Sequence, residues 1–279
     1  MTHSQHEVTS FAELMQLVSH GPDTYVGSGP SYPWEGLYGG QVVAQALGAA
    51  KLTLPEAQRP HSLHAYFIRL GDALEPVRFE VERLRDGRSF AARQVVARQS
   101  TGAILNMSAS FQTGTPPTTD IQLAEPPRVA GPDAGRDVSW GPLLELRLVE
   151  PERPDCPGAG LPAAQRLTTW FRLREELGSD PAHQAAALAY ASDSGPAWIA
   201  GALHEARCSP PRPWRPLSLD HALWFHRPFD ASDWLLLDAS VASIHNSRSL
   251  ASGQVFSRQG HLVASVAQEV LLRRPREEL

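Results

Sequence analysis

The chain repeats itself, and the repeat limits what it can fold into. Ser62 to Arg69 is followed by an Arg88-Ser89 pair and by Gly102 to Gln112; later, Asp220 to Arg227 is followed by Arg248-Ser249 and by Gly260 to Val270. Phe67 and Arg69 fall opposite Phe225 and Arg227 at an offset of 158, and Arg88-Ser89 falls opposite Arg248-Ser249 at 160. Self-similarity at a fixed spacing marks a duplicated structural unit. With 279 residues, 42% of them hydrophobic, the chain is long and apolar enough to give two such units a core without metals or disulfides.

Each unit reads as a helix followed by extended segments. Gly39-Gly40-Gln41-Val42-Val43-Ala44-Gln45-Ala46-Leu47 opens a helix that should run to about Lys51, since Pro55 cannot continue it. Val77, Phe79 and Val81 then alternate with Arg78, Glu80 and Glu82. Leu105, Met107, Ala109 and Phe111 alternate with Asn106, Ser108 and Ser110, which is strand periodicity. Arg85-Asp86-Gly87-Arg88 supplies a hairpin between them, with Gly87 tolerating positive φ. The second unit has a helix starting near Asp180-Pro181, where aspartate before proline is an N-cap signal, another helical run after Pro196, and three long strands. Pro116 to Pro162 is rich in Pro, Gly and Asp, interrupted by one strand candidate at Leu143 to Val149, and reads as a connection. The division expected is therefore 1–115, a linker over 116–162, and 163–279.

Composition excludes several classes. A formal charge of −5 argues against non-specific nucleic-acid binding. No apolar run approaches a membrane span. Met1 to Val8 are polar, without the pattern of a secretory signal, and Arg274 to Leu279 do not end in Ser-Lys-Leu, so cytoplasmic residence is expected. The two cysteines, Cys156 and Cys208, show no metal-binding spacing. Gly39-Gly40 lacks the spacing of a nucleotide fingerprint, and there is no G-x-S-x-G elbow of a serine hydrolase. His221 and His226 have opposite strand parity and point to opposite faces, so no metal site is expected. Asp220-His221 reads instead as a pair bonded to neighbouring backbone.

Three polar residues stand out. Asp193, in Ser192-Asp193-Ser194-Gly195-Pro196, is placed to cap a helix beginning at Pro196. Ser218 reads as an ordinary strand-entry serine. Gln268 shares a strand face with Leu262, Ala264, Val266 and Val270; a buried amide needs partners or costs about 1–3 kcal/mol, so it signals either a local network or a site.

Several long motifs, in order, resemble the bacterial thioesterase II family: Tyr38-Gly39-Gly40-Gln41-Val42-Val43-Ala44-Gln45-Ala46, Arg85-Asp86-Gly87-Arg88-Ser89-Phe90, Leu219-Asp220-His221-Ala222-Leu223-Trp224-Phe225-His226-Arg227-Pro228, Leu262-Val263-Ala264-Ser265, and Gln268-Glu269. The resemblance implies an α+β fold of two tandem hotdog domains, each an antiparallel curled sheet around a central helix. It implies hydrolysis of acyl-CoA to free CoA and a carboxylic acid, without cofactor or metal, in fatty acid metabolism, by a homodimer or homotetramer. Its catalytic residues fall here on Asp193, Ser218 and Gln268, which would hold a water, Asp193 taking its proton. The first half would then be a non-catalytic partner: at an offset of 158, Gln268 faces Ser110, Ser218 faces Pro60, and Asp193 falls opposite Glu35 or the residues just after it. Arg88 and Arg248, at repeat-related turns, are candidates for the CoA phosphates, which suit guanidinium groups. The chain departs from the family at Leu70, where proline is usual, and at Ser249, where glycine is common and a tight turn is expected. An acyl-CoA binding or sensing protein and a hotdog hydratase or dehydratase using Asp220-His221 are the rival readings.

Overall fold

The computed structural model describes residues 8–34, 36–114, 119–138, 140–149, 166–207 and 215–273; Glu35, Cys156 and Cys208 lie outside them. The short helix α1 (Phe11–Leu14) and strands β1 (Val18–Ser19) and β2 (Thr24–Gly27) lead into α2 (Gly39–Leu52) and then β3 (Gln58–Phe67), β4 (Val77–Asp86), β5 (Phe90–Gln99) and β6 (Gly102–Thr113). After β7 (Arg136–Val138), β8 (Leu144–Val149) and β9 (Arg166–Leu173) come α3 (Pro181–Ser192), α4 (Pro196–Arg207), β10 (Arg215–Ser218), β11 (Asp220–Phe225), β12 (Leu235–His245), β13 (Arg248–Ser257) and β14 (Leu262–Arg273).

Among the described residues, all fourteen strands belong to one sheet, ordered β1-β2-β4-β5-β6-β3-β11-β14-β13-β12-β9-β8-β7, with β10 pairing β14. Read outward from its middle, the sheet runs β3-β6-β5-β4-β2 on one side and β11-β14-β13-β12-β9 on the other, the same order twice. The halves meet where β3 and β11 pair antiparallel, His221 opposite Ala65 and Leu223 opposite Leu63. The connecting segment also enters the sheet, since β8 pairs with β9 and β7 with β8.

Helix α2 is buried nearly all round, as a helix apolar on every side must be. Its two glutamines are fully buried and satisfied: Gln41 accepts from the Tyr32 hydroxyl at 2.8 Å, and Gln45 donates to the carbonyls of Leu14 (2.8 Å) and Ser28 (2.9 Å). The alanine-rich α3 packs antiparallel against it, the α2 N-terminus meeting the α3 C-terminus. There the Tyr38 hydroxyl donates to the Tyr190 carbonyl at 2.7 Å, satisfying one of the acceptors a helix end leaves open. Asp180 caps α3 at its other end, accepting from the Ala182 N–H.

Two expected turns use different chemistry from that inferred. Gly87 does not adopt positive φ; it is needed for space, because a Cβ there would come 2.6 Å from the Phe90 carbonyl. Ser249 is not at a turn but within β13, 1% exposed and paired with Val270, while Asn246 and Ser247, with φ of 47° and 58°, make the β12–β13 hairpin.

A Cβ at Gly40 would lie 2.4 Å from the Tyr190 carbonyl oxygen, which is backbone and cannot swing aside. Gly40→Ala is therefore expected to force α2 and α3 apart and lower stability by about 1–3 kcal/mol. Chemical denaturation would read this as a lower midpoint at unchanged slope; an unchanged midpoint would contradict the packing described.

Candidate active site

Asp193, Ser218 and Gln268 come from three elements and meet in one place. Asp193 is the residue on which α3 ends. Ser218 closes β10, and Gln268 is on β14, facing inward as its strand parity requires. The Gln268 amide Nε2 donates to Asp193 Oδ1 at 3.0 Å and to the Ser218 Oγ, and the Ser218 hydroxyl in turn lies 3.4 Å from Asp193 Oδ1. Both amide hydrogens of Gln268 are thus used on the other two residues.

The carboxylate is set against the start of α2. The Gly40 backbone N–H donates to it, and the positive end of the helix dipole faces it. Gly39 makes room: a Cβ there would stand 2.8 Å from Asp193 Oδ2 and 2.9 Å from the Phe67 ring. Asp193 is 5% exposed, and burial raises its pKa; His221, the Gly40 N–H, Gln268 and Ser218 oppose the rise without cancelling it.

Sequence reasoning placed His221 in the scaffold, with backbone partners. Only Asp220 behaves that way, accepting from the Glu269 N–H at 2.6 Å. His221 is fully buried, and its partners are side chains: Nδ1 is 2.7 Å from Gln268 Oε1 and Nε2 is 3.0 Å from Ser192 Oγ. Burial lowers its pKa, against the pull of Asp193. The signal available in the sequence was parity: an inward histidine on β11 and an inward glutamine on the neighbouring β14. His226 faces elsewhere, bonded to Ser265 Oγ at 2.9 Å.

A cavity of about 660 Å³ opens beside the cluster. Asp193 and Ser218 line it, with the start of α2 (Tyr38, Gly39, Val42), the chain leaving β3 (Phe67 to Gly71), Ala197 and Trp198 of α4, and the indoles of Trp34 and Trp140. Gln268 is fully buried behind the wall. Apart from Asp193, the charged lining residues are Arg69 and Arg273. Neither makes a carboxylate ion pair among the described residues. Arg88 and Arg248 do not line this cavity, and Arg248 is paired with Glu269 at 2.8 Å. Leu70 does, its side chain lying over Gly36.

A second cavity, of about 890 Å³, stands to α3 as the first stands to α2. Trp34, Leu37, Gly39 and Val42 line one; Glu176, Ser179, Pro181 and Gln184 line the other, at a uniform offset of 142. On that register Asp193 corresponds to Lys51, not to Glu35. The offset reaches 158 only further along the chain, because α4 and the connection after it are extra residues between the central helix and the strands. Lys51 donates to the carbonyls of Pro55 (2.7 Å) and Glu56 (3.0 Å), and the serine opposite Gln268, Ser110, bonds His61 at 2.8 Å.

Comparison with known proteins agrees with this architecture. Residues 30–112 match the family described as acyl-CoA thioesterase N-terminal domain, and residues 121–272 match the acyl-CoA thioesterase C-terminal domain. The chain is 35% identical to acyl-CoA thioesterase 2 of Haemophilus influenzae, over 95% of this chain and 98% of that one. It is 33% identical to human acyl-coenzyme A thioesterase 8, over 93% and 88%. Among solved structures, an acyl-CoA thioesterase II from Mycobacterium marinum superposes with a TM-score of 0.77 at 37% identity, covering 96% of this chain and 99% of that one. A hot dog fold protein from Alicyclobacillus acidocaldarius superposes with a TM-score of 0.76 at 20% identity, over 95% and 98%. The chain is a hotdog-fold protein and belongs to the acyl-CoA thioesterase II family.

Proposed function

We propose that the chain hydrolyses acyl-CoA by direct attack of a water held at Asp193 and Ser218, in the second of two tandem hotdog domains. The observation that carries this reading is the meeting of a carboxylate, a hydroxyl and an amide, from three distant stretches, at the wall of one apolar cavity. Asp193 takes a proton from the water as its oxygen bonds to the thioester carbonyl carbon. The tetrahedral intermediate then collapses, the carbon–sulfur bond breaks, and the departing CoA sulfur receives that proton. Gln268 works from behind the wall, fixing the two residues that face the cavity. No side chain caps the start of α2, which leaves its first-turn N–H groups to serve Asp193 and the oxyanion.

The repeated strand order and the uniform register of the two cavities support the tandem hotdog arrangement, with 1–115 as the partner half, 116–162 as the connection and 163–279 as the catalytic half. With Lys51, Pro60 and Ser110 at the matching places, the first half offers neither a base nor its helpers. Among the described residues, no helix is long and apolar enough to cross a membrane.

Incubation with acyl-CoAs of graded chain length should release free thiol. Asp193→Ala should slow that release by about 10²- to 10⁴-fold, whereas tight binding without release would favour the sensor and hydration of an enoyl-CoA the hydratase. The pH profile carries a sign. Asp193 must be ionised to act and burial raises its pKa, so kcat/KM should begin to fall with decreasing pH while still above the ordinary carboxylate range. An acid limb at or below that range would remove Asp193 as the base.

Arg69 and Arg273 are the cations suited to the CoA phosphates, in place of Arg88 and Arg248. Replacing both by alanine should raise KM for acyl-CoA about tenfold, equivalent to ~1.4 kcal/mol. KM for the same acyl group on N-acetylcysteamine, which has no phosphate, should be unchanged. Equal effects on both substrates would show that the arginines shape the cavity rather than read phosphate.

A further inference from the structure

We propose that His221 is a positioning residue for the reaction: it fixes which way the Gln268 amide faces, and through it the placement of Asp193 and Ser218. The proposal rests on the catalytic reading of those three residues. A glutamine amide has an accepting end and a donating end of nearly identical shape, so only its neighbours decide its orientation. Here Oε1 is 2.7 Å from His221 Nδ1, while Nε2 is 3.0 Å from Asp193 Oδ1 and also meets Ser218 Oγ. An amide oxygen cannot donate, so Nδ1 must carry the proton. Nε2 of the ring is then the acceptor, and Ser192 Oγ, 3.0 Å away, donates to it.

The opposite orientation would turn Oε1 toward the Asp193 carboxylate, setting two acceptors against each other in a fully buried site. It would also require the imidazole proton to move to Nε2. One proton on one ring nitrogen therefore selects the arrangement in which the base is held by a donor. The groups whose charge bears on that proton are Asp193, Asp220 and His64, and burial lowers the pKa of the ring against the pull of the two carboxylates.

Steady-state kinetics on the full chain test this. His221→Leu should lower kcat on the order of 100-fold with KM little changed, the cost of a misplaced catalytic group. His221→Asn should restore most of that rate, because its side-chain N–H₂ can stand where Nδ1–H stands. Since His221 acts through Gln268, the double variant His221→Leu/Gln268→Ala should be no slower than Gln268→Ala alone. Losses that multiply, or a folded His221→Asn as slow as a folded His221→Leu, would overturn the proposal. A second measurement needs no variant: ¹⁵N NMR of the histidines in the intact protein should find His221 protonated at Nδ1 and bare at Nε2 across the active pH range. The reverse tautomer or an imidazolium there overturns the proposal whatever the kinetics give. Undiminished turnover by Gln268→Ala would instead remove the catalytic reading of the cluster, a failure distinct from either.

Discussion

A carboxylate taken out of water has to be satisfied by the protein, and the rest of the structure is arranged around that need at Asp193. An ionised group in an apolar interior costs several kcal/mol unless partners replace its hydration. Here the partners are a backbone N–H and the dipole of α2, an amide from β14 and a hydroxyl from β10. The N–H and the dipole can reach only if the α2 start comes within contact of the α3 end, which Gly39 and Gly40 permit. The compensation is incomplete, so the group keeps a raised pKa, which on the proposed reading makes it a stronger proton acceptor than an exposed carboxylate.

The two halves show what becomes of the same framework without that carboxylate. At the place of Asp193 the first half has Lys51, whose ammonium closes the end of its own helix by donating to two carbonyls. Proline stands for the serine, and Ser110 bonds a neighbouring histidine. The cavity beside α3 persists, with Glu176, Asp230 and Asp233 in its lining where the other has Asp193 as its one carboxylate. The fold is kept all the same, and the Gly40 N–H at the start of α2 donates to Asp193 of the second half.

Much of this was legible in the residues. The repeat and the strand alternation set the order of the sheet, Pro55 bounded α2, and the parity of Gln268 put it inside. Three features were hidden, each for a physical reason. The extra helix α4, like α3, opens on a proline and is rich in alanine, so nothing local marks it as an addition, and counting across it carried Asp193 onto Glu35 instead of Lys51. His221 shares the Asp-His pair with a residue that does bond backbone, and only the spatial neighbourhood of β11 and β14 separates their duties. The guanidiniums beside the cavity were missed because Arg69 and Arg273 lie at strand ends that converge only in three dimensions. Arg88 and Arg248, by contrast, are conspicuous at their turns.

The joining of β3 to β11 has a further consequence. Each half, standing alone, would leave a ten- or six-residue strand with unpaired backbone along its side, the template on which chains stick to one another. Fusing them consumes both templates. Among the described residues the sheet ends in β1, of two residues, and β7, of three. The seam between the two halves is thus protected against edge-wise aggregation by the duplication itself.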